Sequence, residues 1–77
     1  MSVLRLAREE IGNRGSAIYA SKLRPLLEPQ YHGQFVAIDV ETEDYEVASD
    51  ADAGSDRLWE RRPDAQILVE RIRSMWA

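Results

Sequence analysis

A chain of 77 residues allows a single domain (residues 1–77), and at this size roughly 60% of the unfolded chain's surface can be buried. The absence of cysteine excludes disulfides and thiolate metal sites, and the one histidine, His32, cannot replace them with an imidazole cluster. The net charge of −4 is segregated: residues 33–56 hold eight acids and no base, while each flank holds five bases and three acids.

An acidic centre repels phosphate and attracts a basic surface, which counts against nucleic acid as a partner. A solvated hairpin and helix start is the plainer account of the same charges.

The N-terminal helical segment covers residues 1–28. Ser2 is placed to cap a helix in which Leu4, Ala7, Ile11, Gly15, Ile18 and Lys22 recur at three- to four-residue spacing. Gly12 and Gly15 each cost about 1 kcal/mol against Ala in a helix interior, which points to a kink near Asn13. The residue before a proline avoids the right-handed helical region, so the helix is expected to end at Arg24, before Pro25. Glu28-Pro29-Gln30 then reads as a connector. Arg5, Arg8, Glu9 and Glu10 stand where a signal peptide needs an apolar block, and no run of about 18 apolar residues exists. A cytoplasmic protein with no membrane association is expected.

Residues 33–72 read as a β-β-α-β core. In the first eight residues of Gln34–Tyr45 (QFVAIDVETEDY) small or apolar and polar side chains alternate. Val36, Ile38 and Val40 fall on one face, and Phe35, Ala37, Asp39 and Glu41 on the other. Thr42–Asp44 is the turn and Tyr45–Ala48 the returning strand. Ser49 or Asp50 caps a second helix through Arg62, with Ala51, Ser55, Leu58 and Arg62 facing inward and Trp59 on the flank. Pro63 stops it. Gln66–Ile72 is a third strand, apolar at Ile67, Leu68, Val69 and Ile72, and residues 73–77 form a tail.

A crossover through a helix sets the third strand parallel to the second and beside the first. The fold expected is α+β, a two-layer α-β-β-α-β domain with a three-stranded antiparallel sheet in order 2-1-3. Apolar residues occur on both sheet faces, and two short helices on one face leave the other bare. The tail with Met75 and Trp76, a second copy, or a partner would have to cover it.

Several patterns invite chemistry. The stretch FVAIDVET resembles the first motif of the proofreading 3′–5′ exonucleases, in which strand-borne acids hold catalytic metal. Asp39 and Glu41 would be those acids. A two-metal site needs several converging carboxylates, and no His-x-x-x-x-Asp follows residue 41. The DADAG run at Asp50–Gly54 hints at a calcium loop, but placing Gly54 at position 6 puts Ser49, Ala51 and Ala53 on ligand positions. Helix capping accounts for these aspartates better. His32 has no nucleophile spaced to make a catalytic set. Trp59 and Trp76 are candidate interface anchors, because Trp is enriched among hot spots.

From Ile18 to Ile72 the wording also resembles a family of short bacterial proteins, frequent in cyanobacteria. Its core reads G-(K/Q)-(F/Y)-V-A-I-D-x-E-T-G-D-Y-E-V, followed by R-x-P-D-A. That family implies no activity. Similar small β-β-α-β proteins that act as antitoxins or operon-paired accessory subunits imply a role in protein binding. Glu43 replaces the family's turn glycine.

The residues imply a non-enzymatic interaction module without cofactor or metal, and the resemblance implies that it is antitoxin-like or accessory. Its partner is another protein, such as the neighbouring gene product, or a second copy. Phe35, Ala37, Asp39, Glu41, Trp59 and Trp76 are the expected partner-binding residues. A metal-dependent phosphodiesterase fragment using Asp39 and Glu41, or a small nucleic-acid binder using the Arg clusters, are the alternatives.

Overall fold

The computed structural model describes residues 6–73; Ser2, Leu4, Met75 and Trp76 lie outside the described residues. Helix α1 spans Arg8–Ile18, a π-helical turn follows at Tyr19–Leu23, and α2 continues through Arg24–Tyr31. There is no break at Asn13, and Pro25 does not stop the helix. Arg24 keeps a helical conformation (φ −52°, ψ −53°), and its N–H reaches back five residues to the Tyr19 carbonyl. This widened turn lets the chain pass a proline that has no N–H to donate and whose ring crowds the carbonyl four residues back. Pro25 then occupies the first turn of α2, where a missing N–H leaves nothing unpaired. Continuing the helix places Leu23 and Leu27, one turn apart, in the core. Glu28-Pro29-Gln30 belongs to α2 for the same reason.

Strands β1 (Phe35–Asp39), β2 (Tyr45–Ala48) and β3 (Ile67–Arg71) form one sheet in order β2-β1-β3, with helix α3 (Ala51–Arg61) between β2 and β3. The α+β class and the 2-1-3 order are those read from the pattern. Ile38 pairs with Tyr45 on one side and Leu68 on the other, and Ala37 with Glu46 and Val69. The hairpin turn is longer than its three expected residues. Asp39 and Asp44 close it, with the Asp39 N–H donating to the Asp44 carbonyl at 2.8 Å. Glu43 has φ 68°, the left-handed conformation that favours glycine. Asp50 caps α3, its carboxylate accepting the Ala53 N–H at 2.9 Å.

The helices do not share one face of the sheet. Val36, Ile38, Val40 and Ile72 pack with Ile18, Tyr19, Leu23 and Leu27, so the N-terminal helical segment covers that face. Gly15 sits directly on Leu68. On the opposite face Gly54 of α3 rests against Ala37 and Ala48; a Cβ there would lie 3.6 Å from each of their β-carbons. Small residues on both sides bring α3 close, and Leu58 is fully buried. A helix layer therefore lies on each face, and the wholly bare face that called for the tail, a second copy or a partner as cover is absent. The cover is incomplete in one place. Helix α3 lies over β1 and β2 and makes little contact with β3.

Candidate interaction surface

The acidic segment is largely consumed by the chain itself. Asp39 is 3% exposed. One of its oxygens accepts the Glu41 N–H at 3.0 Å and the other the Thr42 hydroxyl at 2.9 Å. These bonds hold the turn, because a short acid can bridge donors two and three residues ahead. The Glu41 carboxylate accepts from the Gln66 amide, and Gln66, itself buried, accepts the Leu6 N–H at 2.6 Å. Lys22 pairs with Glu43, and Arg61 with Glu46. Arg61 and Arg62 each reach Asp44 at 3.0 Å. Partial burial by itself would push the Asp44 carboxyl up. The hydrogen bonds from Arg62, Arg61 and the Tyr45 N–H outweigh it and hold the group below the usual carboxylate range.

Asp39, placed by the sequence on a partner-facing side, is thus enclosed, and Glu41 is tied to Gln66. The two acids do not converge. Among the described residues no group of three or more His, Cys, Asp or Glu side chains is placed to hold a metal ion. An open cleft beside Asp39 is bordered by Thr42, Arg61, Arg62 and Asp64. Its arginines already answer Asp44 and Glu46.

Ala37 is 1% exposed, beneath Gly54, so a partner cannot reach it. Phe35 remains half-buried. Trp59 stands apart: it is 45% exposed, yet its indole N–H donates to the Ala65 carbonyl at 3.0 Å. That bond lays the ring beside the start of β3. Ile67 and Val69 share the face of Asp39 and Ala37, their register partners, and both are half-buried because α3 stops short of β3. Trp59, Ile67, Val69 and Phe35 therefore border a strip along the flank of α3 that is apolar up to the exposed Arg71, the register partner of Phe35 at its far end. Trp76 lies outside the described residues.

Two contacts had no signal in the sequence. Tyr19 donates to the buried Glu28 at 2.8 Å, and its oxygen accepts the Arg73 N–H at 3.3 Å. Burial raises the Tyr19 hydroxyl's pKa above its ordinary value of 10.0, and the bond to Glu28 adds to the rise. Nothing in Glu28-Pro29-Gln30 reads as core, so only the packed helix reveals this pair. No protein-family model, curated protein or solved structure matches the chain.

Proposed function

We propose that this chain is a small non-enzymatic interaction module, an antitoxin-like or accessory subunit, that binds a partner protein along the strip between α3 and β3. The observation that carries this reading is Trp59: a large aromatic side chain left 45% exposed but held in one orientation by the Ala65 carbonyl. An immobilised aromatic loses little entropy on binding and offers a broad apolar surface, which is why such residues anchor interfaces. The half-buried Ile67 and Val69 beside it extend the apolar area. The phosphodiesterase alternative has less support, since Asp39 is occupied by its own turn.

Co-expression with the neighbouring gene product, followed by calorimetry on the purified pair, tests the reading. Trp59→Ala and Val69→Lys should each weaken the complex by at least tenfold while the circular dichroism spectrum is unchanged. A complex that survives both substitutions places the interface elsewhere.

A further inference from the structure

Of the eight acids between residues 33 and 56, six have partners within the chain: Asp39, Glu41, Glu43, Asp44, Glu46 and Asp50. Asp52 and Asp56 have none among the described residues, and both are exposed on α3. They fall with Ser55 and Trp59 at positions i, i+3, i+4 and i+7, which is one stripe of a helix. The Trp59–Ala65 bond shows that this stripe adjoins β3 rather than β2. On the other side of α3, Arg61 turns to Asp44 and Glu46 of the hairpin. The unanswered negative charge of the segment is therefore concentrated along the wall of the apolar strip.

The dimensions suit a helix. Asp52 to Trp59 rises about 10 Å along α3, and the five residues of β3 span about 16 Å, so the strip is roughly two to three helical turns long. A helix laid beside α3 would cover Ile67 and Val69 and complete the layer on that face. Resting on the interaction-module reading, we infer that the occupant is an amphipathic helix of the partner with Lys or Arg flanking its apolar stripe. The apolar residues meet Trp59, Ile67 and Val69, and the basic residues reach Asp52 and Asp56. A second copy of the chain fits poorly, because its own α3 would bring Asp52 and Asp56 against the same acids. Complementary charge of this kind fixes partner choice and encounter rate more than total affinity.

A displayed library of helical peptides about 18 residues long, panned against the full chain with Trp59→Ala as counter-selection, provides the probe. Recovered sequences should be enriched in Lys and Arg flanking apolar positions spaced three and four apart. Their binding should weaken roughly 3- to 10-fold in Asp52→Asn/Asp56→Asn and fall with added salt. Melting curves confirm that the variant is folded. Peptides that need Trp59 but show no basic bias and ignore the two substitutions overturn this inference and leave the strip itself standing. The absence of any Trp59-dependent peptide overturns both. A dimer by sedimentation that Trp59→Ala dissolves identifies a second copy as the occupant and also overturns it.

Discussion

Gly15 of α1 lies directly on Leu68 of β3: a Cβ at position 15 would stand 2.2 Å from the Leu68 Cδ2 and 2.6 Å from its Cβ. A glycine that lowers helix propensity is therefore what lets α1 reach the sheet. Gly12, one turn earlier, has nothing within 4 Å of such a Cβ. The two glycines should respond to alanine with opposite signs. Gly12→Ala should stabilise by about 0.5–1 kcal/mol through helix propensity and reduced unfolded-state freedom. Gly15→Ala should destabilise, because overpacking costs about 1–3 kcal/mol and exceeds the propensity gain. Urea melts of the two variants check this, and equal effects would show that α1 does not pack through Gly15.

Glu43 holds φ 68° and pairs with Lys22 across the surface. Glu43→Gly removes left-handed strain of about 1–2 kcal/mol and an exposed ion pair of about 0.2–1 kcal/mol. The extra freedom of Gly in the unfolded chain reduces the gain further. A net rise of about 0.5 kcal/mol, or a few degrees in Tm, is expected by calorimetry. Glu43→Ala keeps the strain and loses the pair, so it should melt below the parent.

Tyr19 and Glu28 form a buried pair whose loss is costly. Tyr19→Phe leaves a buried carboxylate without its hydroxyl donor and should destabilise by about 1.5–3 kcal/mol. The raised Tyr19 pKa gives a second readout. A raised value in the folded state means stability that is full below pH 10 and declines as pH rises through the folded value. Alkaline melts should show that decline in the parent and less of it in Tyr19→Phe.

Asp44 gives the opposite dependence. Its carboxyl is held below the usual range in the folded chain, so its contribution is full above the unfolded value near 4 and fades as pH falls through the folded value. Asp44→Asn should flatten the acid limb of the stability curve below about pH 4 and lower Tm slightly at pH 7. The side chain is partly exposed, so 0.5 M salt should shrink the difference between the two proteins at pH 7. A difference at pH 7 that salt leaves unchanged would show that the Arg61–Asp44–Arg62 cluster is not acting through its charge.

Asp39→Asn tests the enclosed acid. The carboxylate accepts one N–H and one hydroxyl, and an amide presents only one acceptor atom, so one donor loses its partner. A loss of about 1–2 kcal/mol is expected in chemical denaturation. Titration calorimetry with Mg²⁺ or Mn²⁺ should show no micromolar site in the parent; a site abolished by Asp39→Asn would revive the phosphodiesterase alternative.

The sequence by itself determined the features that depend on near neighbours. Period-two alternation over Gln34–Glu41 marks β1, and the run Gln66–Ile72 marks β3. Asp50 and Pro63 bracket α3, and the three strands follow in order 2-1-3 once a helix must cross between the last two. Glu43, which stands where the resembled pattern has a turn glycine, holds the left-handed φ that glycine favours, although the turn around it is longer than three residues. Local rules failed at Pro25, where burying Leu23 and Leu27 together outweighed a disfavoured backbone and opened a π turn. Composition made all eight central acids look alike. Lys22, Arg61 and Arg62, distant in sequence, answer Glu43, Asp44 and Glu46, while turn and cap bonds hold Asp39 and Asp50 and Gln66 holds Glu41, which leaves Asp52 and Asp56 beside Trp59. Which face each helix covers was likewise decided only in three dimensions. Close approach depends on the shapes of facing residues, Gly15 on Leu68 and Gly54 on Ala37 and Ala48, and pairings so far apart in the chain leave no periodic trace within it.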